Sequence, residues 1–292
     1  MFTGIVQGVA TVAALADKPG LRSLKLALPP GLSINLSVGA SVSVDGVCLT
    51  VTNLKEGDIV ELDVMQQTLS LTTLAALSTD HRVNVERAAR DGAEVGGHPL
   101  SGHIDFAASV ASIRTPQNNH VLRIAVAAPW MNYLFAKGYV AINGASLTLA
   151  KVHRKPDGSG WFEVWLIPET LRMTTFAEKK VGSKVNVEVD RQTQIIVDTI
   201  RDAINHRLSS LQSAIETARD AASIQPGSLS TGGQGAMATA KRKKTKSGKL
   251  KPHDDNQGPH AMSPLTDDNP GPHSKSPKKK KKTAKKAPKK KK

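Results

Sequence analysis

SVDGVCLT at residues 43–50 returns as AINGASLT at residues 141–148, and this pair of octets decides how the chain is built. The alignment sets Gly46 over Gly144, Leu49 over Leu147 and Thr50 over Thr148 at an offset of 98, which also places Gly4 over Gly102. Further along, Thr68-Leu69 matches Thr170-Leu171, Thr72-Thr73 matches Thr174-Thr175, and VNVE at 83–86 recurs at 185–188, now at an offset of 102. One four-residue insertion reconciles the two values, and KPDGSG at 155–160 is its natural place, because Pro, Asp and Gly lengthen a hairpin turn at small steric cost. Internal repetition at such a period means one structural unit used twice. The chain divides into a module at 1–97, a second at 98–189, a segment at 190–222 and a tail at 223–292.

Each module reads as β. SVSVDGVCLTVT, IVELDVM, LRIAVAA and KVNVEVD are short, rich in Val, Ile, Leu and Thr, and interrupted by Gly, Asp, Asn or Pro every ten residues or so. The spacing predicts an all-β fold of two small antiparallel barrels in tandem. From Asp190 the period changes. Ile196, Ile200, Ile204, Leu208, Leu211 and Ile215 recur at steps of three and four, as on one face of an amphipathic helix. That helix either packs between subunits or folds back on its own barrel.

The formal charge of +15 would suggest a nucleic-acid or membrane-surface protein if it were spread over the chain. It is not. Residues 223–292 hold 19 Lys and Arg against 4 Asp, so residues 1–222 carry 21 charges of each sign and are neutral. The tail's Gly/Ser-rich, Lys-rich and Pro-rich composition cannot bury enough apolar surface to offset its ordering entropy, and disorder is expected there. Its Lys runs leave two readings open: a solubilising extension, or a weak nucleic-acid or polyanion contact through residues 241–292. A single cysteine, Cys48, allows no intrachain disulfide, and no His/Cys spacing matches a zinc site, so neither a metal nor a cofactor is expected. MFTGIVQGVATVAAL has no cationic start or small-residue cleavage site, and no apolar run approaches the ~20 residues of a spanning helix. A soluble cytoplasmic protein without membrane contact is the expectation.

A duplicated barrel offers two similar pockets related by a half-turn, suited to two copies of one planar ligand. Unequal chemistry must then come from the mismatched positions: Cys48 against Ser146, Asp45 against Asn143, Gln67 against Glu169, Ser70 against Arg172, and Ile5 against His103. Leu100-Ser101 stands where the first module has Phe2-Thr3.

MFTGIV at the start, VDGVCLTV, GGHPLSGHID at 96–105, KGYVAINGASLTL at 137–149 and LIPETLRMTT at 166–175 resemble the signature segments of the riboflavin synthase family, in its short proteobacterial form. The resemblance runs from Met1 to about residue 205. It implies six-stranded Greek-key barrels, a helix after Asp190 that drives a homotrimer, and an active site between the first barrel of one subunit and the second of its neighbour. The implied reaction is the dismutation of two 6,7-dimethyl-8-ribityllumazine molecules to riboflavin and 5-amino-6-(D-ribitylamino)uracil. The heteroaromatic ring makes the 7-methyl group acidic, so orientation can supply much of the rate, effective molarities reaching about 10⁵ M or more.

Carried over residue by residue, the resemblance implies a first half-site of Thr3, Gly4, Ile5, Val6, Cys48, Leu49, Thr50 and the run Asp63, Val64, Met65, Gln66, Gln67, Thr68. The second would use Gly102, His103, Ile104, Lys137, Asn143, Ser146, Leu147, Thr148 and the run Ile167, Pro168, Glu169, Thr170, Leu171. Cys48, Ser146, His103 and Phe2 are the candidate catalytic residues. Each has a plainer reading: Cys48 as a small buried hydrophobe, His103 as a histidine satisfying a strand end, Ser146 as an ordinary strand serine, and Phe2 as barrel packing rather than a ring closing over the ligand. Lys137 is equally read as a solvated turn lysine. Asn143 replaces an Asp common in relatives, and Gln67 and Ser70 replace charged residues, which threatens turnover more than binding. The rival functions are a protein of the same fold that holds a lumazine or flavin without converting it, and a polyanion binder acting through the tail.

Overall fold

The computed structural model describes residues 1–90 and 92–223, with side chains through residue 220; the disorder expected of residues 223–292 lies, beyond Ser223, outside the described residues. The first repeat comprises β1 (Gly8–Lys18), β2 (Leu21–Ala27), β3 (Ser41–Val44), β4 (Val47–Lys55), β5 (Ile59–Met65), the short helix α1 (Gln66–Leu71) and β6 (Arg82–Arg87). Its strands close in the order β1-β2-β5-β4-β3-β6, all antiparallel, with the Greek-key crossing between β2 and β5. Val42, Val44, Val51, Val60, Leu62 and Val83 fill the interior with no exposed surface. Period-two alternation puts Val47, Leu49 and Val51 of β4 inside and turns Cys48 and Thr50 outward.

The second repeat comprises β7 (Phe106–Arg114), β8 (His120–Val126), α2 (Ala128–Met131), β9 (Tyr139–Ile142), β10 (Ala145–Thr148), β11 (Lys151–Arg154), β12 (Gly160–Leu166), α3 (Pro168–Met173) and β13 (Lys184–Val189). It is a seven-stranded sheet in the order β10-β9-β13-β7-β8-β12-β11 rather than the closed six-stranded barrel expected. The difference is local. β10 and β11 are successive pieces of the strand that matches β4, and β4 itself carries a register shift between Val51 and Asn53, at the matching place. A bulge in one repeat has become a break in the other, and the ends of the sheet meet through the covalent chain at Leu149-Ala150. The four extra residues lie in the β11–β12 hairpin, as the KPDGSG run predicts.

The repeats touch through the hairpin turns of the opening octets. Asp45 and Gly46 have φ of 45° and 85°, and Asn143 and Gly144 have 44° and 78°, the doubly left-handed pattern of a tight hairpin turn. A Cβ on Gly46 would stand 2.7 Å from the Gly144 nitrogen, and one on Gly144 would stand 2.9 Å from the Gly46 nitrogen. Around this contact the amides cross. Asn84 Nδ2 donates to the Asn143 carbonyl at 3.0 Å and Asn186 Nδ2 to the Asp45 carbonyl at 2.9 Å. The Asn84 N–H donates to Asp45 Oδ1 at 2.9 Å, and the Asn186 N–H to Asn143 Oδ1 at 2.7 Å.

After β13 comes α4 (Arg191–Ser223). Asp190 Oδ2 accepts from the N–H and hydroxyl of Thr193, capping it. Arg191 bonds Asp105, and Tyr133 donates to Asp198 at 2.6 Å, tying the first turns to the second barrel. Beyond them the stripe Ile200, Ile204, Leu208, Leu211 and Ile215 is more than half exposed. Among the described residues no helix is long and apolar enough to cross a membrane.

Burial pushes the Asp45 carboxyl up to about 6. Between pH 4 and 6 the folded chain therefore holds a proton that the unfolded chain has released, so this group's contribution is largest at low pH and is lost as pH rises through 6. Asp45→Asn keeps the acceptor and removes the charge. Urea unfolding from about pH 4 to 8 should show the variant gaining on the parent as pH rises, by up to ~3 kcal/mol near pH 8; equal slopes would show that Asp45 is not buried as a carboxylate.

Candidate active site

The segments before β1 and β7 reach across to the opposite barrel. Phe2 and Leu100 exchange backbone hydrogen bonds of 2.8 and 2.9 Å. Glu86 Oε1 accepts from the Thr3 N–H at 2.6 Å and hydroxyl at 2.8 Å, and Oε2 accepts from the Gly4 N–H at 3.0 Å. Glu188 does the same for the Ser101 N–H at 2.8 Å, its hydroxyl at 2.7 Å and the Gly102 N–H at 3.1 Å. Burial raises the pKa of both carboxyls while these donors lower it. The repeated VNVE is thus a pair of clamps, each placing a left-handed glycine against the other repeat: Ser146 N–H donates to the Gly4 carbonyl, and Cys48 N–H to the Gly102 carbonyl, both at 2.8 Å.

Two clefts result. The first, about 310 Å³, is lined by Val47, Cys48, Met65, Gln67, Thr68, Leu71, Thr72 and, from the second arm, Gly102, His103 and Ile104. The second, about 320 Å³, is lined by Ala145, Ser146, Leu147, Glu169, Thr170, Met173, Thr174 and, from the first arm, Gly4, Ile5 and Val6. They match at nine of ten lining positions, Met65 of the first and Leu147 of the second being the exceptions, and have the size of a small-ligand pocket. The grouping expected from sequence is therefore exchanged: Gly4, Ile5 and Val6 belong with Ser146, and Gly102, His103 and Ile104 with Cys48. The cores agree, for Val6 packs into the second barrel and Ile104 into the first.

Several expected site residues stand elsewhere. Phe2 is 1% exposed and packs with Leu100 and Ala141 between the repeats, its ring behind Gly102, so it supports the cleft wall and does not close over it. Thr3 spends its polar atoms on Glu86. Leu49 and Val64 are core residues of the first barrel. Asn143 is buried in the amide contact between repeats, its Nδ2 without a hydrogen-bond partner among the described residues. Thr50 and Thr148 continue the outward faces of Cys48 and Ser146 without lining a cleft. Asp63 is exposed and accepts from Ser23, Gln66 begins α1, Ile167 and Pro168 lead exposed into α3, and Leu171 packs on the second core. Lys137 is exposed at φ 69°, where the first repeat has Gly39 at 88°.

The clefts differ as the mismatches predict. Arg172 bonds both carboxylate oxygens of Glu169 at the rim of the second, while Ser70 bonds only the Gln67 carbonyl beside the first. Sequence reasoning did not find Val47, Ala145, Leu71, Met173, Thr72 or Thr174. The repeated Thr-Thr pair was visible; the hydroxyls of Thr72 and Thr174 bond the carbonyls of Thr68 and Thr170, stiffening the wall. Among the described residues no cluster of three His, Cys, Asp or Glu is placed to hold a metal ion.

The lumazine binding domain family matches residues 3–88 and 101–190. Riboflavin synthase of Escherichia coli (strain K12) is 44% identical over 208 residues, covering 71% of this chain and 95% of its own. That of Chlamydia pneumoniae is 40% identical over 201 residues, 69% of this chain and 96% of its own. The solved structure of LumP complexed with riboflavin superposes with a TM-score of 0.57 at 25% identity, over 65% of this chain and 100% of that one.

Because each clamp serves the opposite cleft, Glu188→Ala should speed hydrogen exchange at the Gly102 and Cys48 amides by roughly 10-fold or more while leaving Gly4 and Ser146 protected. Equal loosening of both clefts in exchange mass spectrometry would refute the exchanged grouping.

Proposed function

This chain belongs to the riboflavin synthase family, and we propose that its two clefts each take one 6,7-dimethyl-8-ribityllumazine. One molecule gives a four-carbon unit to the other, yielding riboflavin and 5-amino-6-(D-ribitylamino)uracil. The observation that carries this reading is the match of the clefts at nine of their ten lining positions, two pockets suited to one ligand yet unequal at Cys48/Ser146 and His103/Ile5. Left-handed Gly4 and Gly102 bring backbone close to where a flat ring would lie, and Thr68 and Thr170 offer polar edges beside apolar Met65, Leu71, Leu147 and Met173. Holding two reactants in fixed relation supplies much of the rate for so acidic a methyl group. Lys137, strained where its counterpart is glycine, is a ribityl contact in this reading.

The exposed apolar stripe of α4 supports a homotrimer that apposes the first cleft of one subunit with the second of its neighbour. Mixing the full chain with the lumazine should generate riboflavin fluorescence from a species of three chains by sedimentation. Ile200→Asp with Ile204→Asp should lower both the sedimentation value and turnover, by at least about tenfold in rate. Tight binding without turnover would instead make the chain a lumazine carrier.

The Lys runs at 241–292 support a separate contact with polyanions, driven by counterion release and acting from each subunit of a cytoplasmic trimer. Deleting residues 223–292 should leave turnover within about twofold and abolish low-salt retention on heparin; a large loss of turnover would place the tail in the enzyme's machinery.

A further inference from the structure

A further cavity, of about 320 Å³, opens on the seam between the repeats and shares no residue with the two clefts. Thr73, His81 and Arg82 of the first repeat line it together with Lys179, Ser183 and Lys184 of the second. Two of these pairings come from the duplication itself, since His81 and Ser183, and Arg82 and Lys184, are matched positions at the offset of 102. Whatever occupies the cavity is held from both repeats at once.

The polar groups around it are nearly all donors. The Ser78 N–H donates to His81 Nδ1 at 2.7 Å, so the N–H of that ring is at Nε2. Ser183 Oγ accepts the Lys180 N–H at 2.9 Å, which leaves its own hydrogen to donate. The Thr73 hydroxyl oxygen is buried with no hydrogen-bond partner among the described residues. Arg82 gives one guanidinium nitrogen to Glu178, and neither Lys179 nor Lys184 forms a salt bridge among the described residues. The acceptor on the wall is Asp45, 4% exposed, whose Oδ1 already takes the Asn84 N–H. Burial pushes its carboxyl up to about 6, while Lys179 pulls it down and Glu178 raises it. Arg82, Lys179 and Lys184 outnumber Asp45 and Glu178, so the cavity carries an excess of positive charge. A tetrahedral oxyanion presents acceptor oxygens in every direction and so meets donors set on opposite walls, with the charge-assisted bonds that ammonium and guanidinium groups give.

We propose that this cavity binds a phosphate group, held by Thr73, His81 and Arg82 from the first repeat and by Lys179, Ser183 and Lys184 from the second. Bound there, phosphate bridges the repeats beside the Asp45-Gly46 turn and ties together the two halves on which both clefts depend. The ionised Asp45 opposes it, which keeps binding weak at neutral pH. The cavity is the size of a small-ligand pocket, so free phosphate and the phosphomonoester end of a small polyol share the chemistry it recognises. The site is separate from the clefts, and the proposal stands whether or not they make riboflavin.

The test follows amide hydrogen exchange by mass spectrometry in the full chain at pH 7.5, with and without inorganic phosphate, sodium chloride holding ionic strength constant. Phosphate at about 10 mM should slow exchange in the turn segments 73–81 and 175–183 by roughly fivefold, the factor 1 + [L]/Kd for a Kd of about 2.5 mM. Lys179→Ala with Lys184→Ala should abolish the slowing; both chains carry the Lys-rich tail, so their difference reports the cavity. Asp45→Asn fits a turn that Asn143 already occupies in the other repeat, and by removing the opposing charge it should lower the half-saturating phosphate concentration by about tenfold. Glycerol 3-phosphate is the second probe: tighter protection than with inorganic phosphate assigns the site to a phosphomonoester, and weaker protection assigns it to the free ion. No slowing in the parent up to about 50 mM of either probe would overturn the proposal, as would undiminished slowing in the lysine variant. An Asp45→Asn chain that folds and binds phosphate no more tightly than the parent would also overturn it; should that variant fail to fold, the lysine variant decides alone.

Discussion

The turns Asp45-Gly46 and Asn143-Gly144 meet so closely that a single added carbon on either would strike backbone of the other. Everything else in the described structure is arranged around that contact. Only glycine combines φ near +80° with the absence of a Cβ, so the DG and NG pairs that make the two hairpins also permit their back-to-back approach. The groups that face across it are buried, and each would be costly unpaired. Asn84 and Asn186 resolve this by reaching into the opposite repeat, and their own Oδ1 atoms accept the N–H groups of Thr175 and Thr73 at 2.8 Å each. The crossed pairing of the repeats thus follows from satisfying buried amides where the two turns leave no room for a Cβ.

The same half-turn explains why each cleft draws on both repeats. An arm entering a barrel from outside must have its polar backbone satisfied, and Glu86 and Glu188 each take three donors from a Thr/Ser-Gly pair. Charge-assisted bonds of this kind are stronger than neutral ones, which fixes the arm closely enough for its glycine carbonyl to pair with the opposite strand. The cleft is therefore bounded by a strand of one repeat and the arm of the other. Neither repeat would have a complete pocket if the contact between turns were lost.

Asymmetry was introduced without disturbing this frame. Asp45 and Asn143 make equivalent acceptor bonds through Oδ1, yet one carries a carboxyl whose ionisation burial opposes and the other an amide nitrogen with no partner among the described residues. Ser146 leans on an enclosed imidazole, that of His98, while the Cys48 thiol makes no hydrogen bond among the described residues and shares its cleft with an exposed one. Substitutions at the rim and behind the wall change the chemistry of a pocket while leaving the backbone contacts that define its shape.

By itself the sequence determined the repeat, its β character, the insertion in the β11–β12 hairpin, the separation of the basic tail and the helix after Asp190, because each of these is local and repeats at a period that backbone geometry imposes. Aligning the repeats also singled out three mismatched pairs that line the clefts, Cys48 and Ser146, Gln67 and Glu169, and His103 and Ile5. Only the tertiary structure decided which arm serves which strand, that Phe2 and Asn143 are buried between the repeats while Thr3 is held by Glu86, and that β10 and β11 part where β4 merely bulges. Only it brought His98 to Ser146, 48 residues away in the chain. Alignment of the repeats says which residues are equivalent but not whether equivalent arms stay home or cross, and that choice rests on crossed hydrogen bonds between groups more than 50 residues apart, which leave no periodic trace in the sequence.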